Sequence, residues 1–435
     1  MKVLLAFPPH PVPYPGRVEP LGVEYLAAAV SDRAEVGILD GHGGRLSPAD
    51  IVAGAGRFAP DVLGVSTPHN SQVPAALELI RGVRRILPAT TIVWGGNWPT
   101  FAPERALADA PVDFVVRHEG ESTFRHIVGA LAAGRDPRRD PPPGLAFRDG
   151  GRVVNTGAPE LVADLDSLPL PARPLVPGYP APYTSYSIIA SRGCPFRCPN
   201  CSTSEMWLHR RRQRSAAAVA AEIQGLFAAY GQRPVGFVDD LFTGKRRWVV
   251  ELCAALLPLR AAGLTWHCNT RLDYLDAGLI AEMARAGCSS MFLGMESASI
   301  GVLRQLGKHY TPAGARAIFA ACLEHGIEPN VSFMIGLPFE TRADLEETVN
   351  FVVALCRDLP RVRVGVRHLT PLFGTRLHRE SAAFGLNILD DDQSRLDLLV
   401  SRVTTRHLSR RDIDEAYMRM RIAIGRKHAL DPGGA

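Results

Sequence analysis

Short apolar runs alternate with longer amphipathic stretches along most of this chain, and that alternation restricts it to strands and helices in turn, the sequence form of parallel sheets covered by helices. In the first 135 residues the apparent strands are Val3–Phe7, Glu35–Leu39, Val62–Ser66, Thr91–Trp94 and Phe114–Val116, with helical patterns such as Leu21–Val30 and Pro74–Leu87 between them. Glycine or proline follows most strand ends, as at Phe7-Pro-Pro9 and Trp94-Gly-Gly96. The pattern predicts a doubly wound parallel sheet over residues 1–135, with ligands beyond the carboxyl ends of its strands.

The prolines of Arg135–Gly144 cannot join a helix or a central strand, so a domain boundary is expected there. A hairpin signal around Asp149-Gly-Gly151 and a Pro-rich stretch, Leu168–Pro182, complete a linker predicted over 136–183. The alternation then resumes, with strands expected at Tyr186–Ser191, Val235–Val238, Leu264–Asn269, Ser290–Leu293, Asn330–Ile335 and Val362–Leu369. Helices are expected at Ala216–Tyr230, Trp248–Ala262, Pro312–Glu324 and Ala343–Arg357. Six such units are too few for an eight-stranded barrel, so residues 184–378 are expected to form a partial, open (βα)6 barrel with its site at the strands' carboxyl ends. The remainder, 379–435, reads as a short helical tail centred on Arg410–Lys427.

With 435 residues, 46% of them apolar and 21% charged, the chain is suited to two or more globular domains with sizeable cores. No apolar stretch approaches the ~20 residues that cross a bilayer. Met1–Phe7 reads as a first strand rather than a secretion signal, and eight cysteines on that reading point to the reducing cytoplasm. The net charge of +5 is dispersed, which argues against a nucleic-acid partner. Its one dense patch, His209–Arg214, is expected to be a solvated loop.

Ser191-Arg-Gly-Cys194-Pro-Phe-Arg-Cys198-Pro-Asn-Cys201 follows the first strand of the second region. Three thiolates in one loop can converge on a soft metal centre, and with no fourth cysteine nearby one metal position stays open to a substrate or cofactor. Zinc completed by a ligand such as His209 is the alternative these residues leave. The other cysteines, Cys253, Cys268, Cys288, Cys322 and Cys356, stand singly and are expected to be small buried hydrophobes.

This spacing in this loop resembles the radical S-adenosylmethionine superfamily, and the resemblance runs through most of residues 186–378. It implies that Cys194, Cys198 and Cys201 hold a [4Fe-4S] cluster whose open iron takes the amino and carboxylate groups of S-adenosylmethionine, and that an electron donor such as flavodoxin or ferredoxin feeds it. By the same resemblance Asp239 lies near the cofactor's amino group. Asn269, Arg271 and Glu296 fall at polar positions that contact ribose and carboxylate, and Gly336 lies in a segment near adenine. Where the family usually has an aromatic residue before the last cysteine, this chain has Asn200, whose backbone can meet adenine but whose side chain cannot stack on it.

The first region resembles the cobalamin-binding domain of one subgroup, on Phe7-Pro-Pro9, Leu21-Gly22, Gly95-Gly96 and Val115–Glu121, and Gly95 and Gly96 would admit a large ligand such as cobalamin's nucleotide tail. Asp40-Gly-His42 looks like a cobalt-ligating motif but follows the second strand instead of the first, and His10 stands in the expected loop among prolines. Where relatives often place histidine after the paired glycines, this chain has Trp98, which is bulky enough to fill part of such a cavity. Two reactions follow from the resemblance. One is cobalamin-dependent methylation of an unactivated carbon of a small natural product. The other is cobalamin-independent radical dehydration of a sugar diol, as in relatives that deoxygenate aminoglycosides. Asp240, Glu205, His209 and His368 are the acid–base candidates by position. An RNA-modifying relative would carry an RNA-binding barrel that the tail does not resemble. A corrinoid carrier would leave the three cysteines unused.

Overall fold

The computed structural model describes residues 1–11, 19–181, 183–393 and 400–430. It divides into two compact units whose chain boundary falls between Ser187 and Ile188.

The first unit is built on β1 (Lys2–Phe7), β2 (Glu35–Asp40), β3 (Val62–Thr67), β4 (Thr91–Gly96) and β5 (Phe114–Val116). These pair in parallel in the order β2-β1-β3-β4-β5, so the strand order reverses between β1 and β3. In an open α/β sheet the ligand crevice lies beyond the strand ends at such a reversal. Val3, Leu4, Leu5 and Ala6 are all buried, as expected of a central strand covered on both faces.

The expected boundary near residue 140 is corrected by two observations. The hairpin β6 (Leu145–Asp149) and β7 (Arg152–Asn155) extends the same sheet, β6 running antiparallel to β5 with Phe147 opposite Phe114. Its turn places Gly150 and Gly151 both at positive φ, as a tight hairpin requires. The Pro-rich segment beyond it packs into this unit's core through Val176 and Tyr183. Arg173 forms an ion pair with Glu19 at 3.1 Å, both side chains almost fully buried. Proline forbids helix and central strand there, but it does not stop apolar side chains from being buried in an irregular path.

The second unit carries a six-stranded sheet in sequential order: β8 (Tyr186–Ile188), β11 (Val235–Phe237), β12 (Trp266–Thr270), β13 (Cys288–Glu296), β14 (Glu328–Ile335) and β15 (Arg363–His368). Helices such as Ala216–Tyr230, Arg246–Ala261, Pro312–Glu324 and Arg342–Asp358 intervene, giving the partial barrel expected from the sequence. The strand expected to run to Ser191 is interrupted. Ser191–Arg192 is a separate two-residue strand, β9, paired antiparallel with β10 (Arg212–Gln213). The basic run is therefore not a solvated loop: Arg214 is buried against Glu222, and Arg211 donates to the carbonyls of Leu241 and Phe242. The tail likewise holds more than helix, since β16 (Leu386–Ile388) and β17 (Val403–Thr405) form an antiparallel ladder before the helix Arg410–Leu430.

A candidate cluster and cofactor site

In the second unit the chain can enter the cysteine loop from β9 only through glycine. Gly193 has φ +88°, and a Cβ there would lie 2.0 Å from the carbonyl oxygen of Arg210. The two carboxylates after β11 fix this entrance. Asp239, 1% exposed, accepts from the Ala190 N–H at 3.1 Å and from the Ser191 hydroxyl. Burial pushes its acid up to about 6 against those donors. Asp240 accepts from the Gly193 N–H at 3.0 Å. It is exposed as a residue, so water opposes the upward push that the surrounding protein and Asp239 exert on its acid. Asn269, at the end of β12, donates to the Asp239 carbonyl at 3.3 Å. Asp239 and Asn269 thus brace the loop, and Asp239 caps no helix.

Cys194, Cys198 and Cys201 are half-buried free thiols, with the Cys201 N–H bonded to the Cys198 carbonyl. Desolvation pushes Cys194 up to about 11, and its two neighbours add to the shift. Three thiolates gathered in one loop need a cationic centre between them, which is the donor chemistry of an iron–sulfur cluster. Among the described residues no three His, Cys, Asp or Glu side chains close around a single ion.

Arg271 approaches this loop directly. Its Nη1 lies 3.4 Å from Cys198 Sγ and its guanidinium carbon 3.8 Å from the centre of the Phe196 ring. Asp273 takes Nε and Nη2, and the Gly307 carbonyl also accepts from Nη2 at 2.8 Å. Burial works to raise the Asp273 acid, but Arg271 holds it below the usual carboxylate range. Glu296, at positive φ beside a bulge in β13, pairs with Lys308 at 3.1 Å, and Lys308 also donates to the Gly294 carbonyl. A non-glycine residue held at φ +69° costs on the order of 1–3 kcal/mol and tends to mark functional positions.

The Asn200 side chain donates to Met334 Sδ at 3.6 Å, while its own Oδ1 is buried without a hydrogen-bond partner among the described residues. An unsatisfied buried acceptor beside the cysteines is what a ligand N–H group would complete. Glu205 and His209 come together next to the loop, with His209 Nε2 3.4 Å from Glu205 and Nδ1 3.3 Å from the Phe196 carbonyl. Leu208 and His209 both take positive φ to bring this about.

Two expectations are corrected here. His368 does not join the others: it is 6% exposed, its ring lies 4.2 Å from that of Tyr417, and Asp414 lies 3.5 Å away, so it ties β15 to the tail helix. Gly336 is buried with its Cα facing Ile413 and Val403, and its N–H donates to Glu340 at 2.8 Å, so its lack of a side chain makes room for the tail segment. Phe196, Asp273 and Lys308 carried no role in the sequence pattern. Asp273 lies in the 3-10 turn Leu272–Tyr274 just past β12, and nothing local marks either it or Lys308.

In the first unit the crevice between β1 and β3 is edged by His10 and His69, whose ring centres are 5.7 Å apart, with Ser71 Oγ 2.8 Å from His10. Gly96 has φ +109°, and a Cβ there would strike the Thr67 backbone at 2.3 Å, so the strand contact itself demands this glycine. Gly95 beside it is half-buried. Trp98 is 5% exposed and packs on Trp94. Asp40 is satisfied by the Tyr183 hydroxyl and by the N–H groups of His42 and Gly43.

A partial parallel barrel with a three-thiol loop after its first strand, on one chain with a doubly wound domain, defines an iron–sulfur enzyme with a second cofactor-binding domain. The B12 binding domain family matches residues 12–128, and the Radical SAM superfamily matches residues 188–352. The chain is 32% identical over 396 residues to an uncharacterized methyltransferase of Pyrococcus horikoshii, covering 89% of this chain and 84% of that one. It is 28% identical over 341 residues to an anaerobic magnesium-protoporphyrin IX monomethyl ester cyclase of Synechocystis, covering 75% and 67%. Its fold is similar to that of the radical S-adenosylmethionine methyltransferase TsrM from Kitasatospora setae, with a TM-score of 0.74 at 22% identity over 89% of this chain and 80% of that one. The chain belongs to the radical S-adenosylmethionine superfamily, in the group of cobalamin-dependent methylases and their relatives that carry a B12-binding domain. A [4Fe-4S] cluster and S-adenosylmethionine are the cofactors of the second domain.

Proposed function

We propose that this chain is a cobalamin-dependent radical methylase acting on an unactivated carbon of a small molecule. One observation carries the reading: a B12-binding domain and a three-cysteine radical loop occupy the same chain. The similarity to a methyltransferase over most of both chains supports it. When bound, the reduced cluster supplies the electron that splits S-adenosylmethionine into methionine and a 5′-deoxyadenosyl radical, and cobalamin supplies a methyl group.

The chain's own residues have definable tasks. Cys194, Cys198 and Cys201 would hold the cluster, and Asp239, Asp240 and Asn269 keep their loop in place. Asn200 Oδ1 offers an acceptor to an amino group of the cofactor. The sheet face opposite the helices presents His267, Phe292 and Arg367, all exposed, to the substrate. Asp240 and the Glu205–His209 pair remain the acid–base groups at the loop. A flavodoxin or ferredoxin is the electron donor in this reading, and the site of action is the cytoplasm. No helix among the described residues is long and apolar enough to cross a membrane.

The test is anaerobic purification after cobalamin-replete expression, followed by incubation with S-adenosylmethionine and reductant. Retained cobalamin together with 5′-deoxyadenosine supports methylation. 5′-Deoxyadenosine from protein that retains no cobalamin overturns it in favour of dehydration or another rearrangement.

A further inference from the structure

We propose that Arg271 sets the reduction potential of the cluster by pressing an oriented, charged N–H against Cys198 while clamping the cysteine loop through Phe196. The inference rests on Cys198 being a cluster ligand, as the preceding reading has it, and assigns Arg271 to the cluster instead of to ribose or carboxylate.

The geometry leaves this guanidinium little freedom. Arg271 is 8% exposed, has its guanidinium carbon 3.8 Å from the centre of the Phe196 ring, and is held from behind by Asp273 and the Gly307 carbonyl. Nη1 is the nitrogen that reaches Cys198 Sγ, at 3.4 Å. Phe196 stands between Cys194 and Cys198 in the chain, so the stacked ring fixes the loop against the same group that touches its sulfur. Arginine suits this position because its planar fork can stack on an aromatic face while still donating at its edge.

The electrostatic consequence has a definite sign. Reduction adds an electron to the cluster, and hydrogen bonds to the ligand sulfurs together with nearby positive charge favour the more negative state. Asp273 screens the guanidinium on the side away from the sulfur. Removing Arg271's charge therefore lowers the potential, whereas removing Asp273's charge raises it. A side chain that served only to hold the fold would not shift the potential in opposite directions through these two partners.

The test is a redox titration of the reconstituted full-length protein, following the reduced-cluster EPR signal without added substrate and with iron and sulfide counted for each variant. Arg271→Gln is expected to titrate at a more negative midpoint than wild type, with Arg271→Lys between them. Asp273→Asn is expected at a more positive midpoint, and Phe196→Leu at a more negative one, because it frees the guanidinium. Arg271→Gln with full iron and the wild-type midpoint overturns the proposal while leaving the cluster assignment intact. Should Arg271→Gln fail to hold iron, a wild-type midpoint in both Phe196→Leu and Asp273→Asn overturns it equally. Wild-type protein that binds no cluster overturns the underlying reading instead.

Discussion

Both units require a glycine at positive φ where a strand ends, yet the obstacle differs. At Gly96 it is the Thr67 backbone of the neighbouring strand, so the glycine serves the sheet. At Gly193 it is the carbonyl of Arg210, which belongs to the segment folded over the cysteine loop, so the glycine serves the site. The same contrast runs through the acids. Asp40 is a buried carboxyl whose partners, Tyr183 and two N–H groups, are all close in its own unit's core. Asp239 is equally buried, but its partners are the two residues leading into the cysteine loop. One strand edge is therefore finished by packing, and the other is held in shape for a ligand.

Replacing Cys198 by alanine gives the largest expected effect. It removes one of three iron ligands, and iron content and 5′-deoxyadenosine formation should both fall to background, while the thermal transition of the first unit stays in place. Retention of either would break the contrast, because the cysteine loop would then be an ordinary surface turn. Gly193→Ala should come next. A side chain in the left-handed region costs about 1–2 kcal/mol before the Arg210 clash is counted, and iron loading should drop with stability. Gly96→Ala should destabilise to a similar degree by thermal unfolding but leave the iron count unchanged. If both substitutions reduced iron alike, the two edges would not be separable.

A smaller effect tests burial through pH. Glu340 is fully buried, and burial pushes its acid up to about 8 from an ordinary 4.5. The folded state thus favours the protonated form. The stability this contributes is complete below the unfolded value near 4.5, shrinks as the pH rises, and is lost once the pH passes about 8. Glu340→Gln should flatten the fall in melting temperature between about pH 6 and 8. An unchanged slope would show that the group ionises freely in the native state. The least effect belongs to His42→Ala. Alanine keeps the His42 backbone N–H that Asp40 accepts from, so thermal stability should change by less than the roughly 1–3 kcal/mol expected when Tyr183→Phe leaves Asp40 without its hydroxyl partner. Equal losses in the two variants would show that the imidazole holds this turn.

The chain's linear pattern determined the two α/β regions, the six strands of the second sheet and the three cysteines after its first strand. Those features are local: side-chain periodicity fixes strand and helix, and eight residues of loop suffice to gather three thiols. The tertiary structure decided what a linear reading could not. It carried the Pro-rich stretch into the first unit's core, because burial depends on shape and not on secondary structure. It folded Lys308 back beside Glu296 after the short helix that follows β13, and it turned His368 toward the tail helix, because side-chain periodicity does not say where a connection returns or which helix covers a strand end. And it brought Arg271 against Cys198, 73 residues away, a contact that depends on the end of β12 lying beside a loop that follows β9.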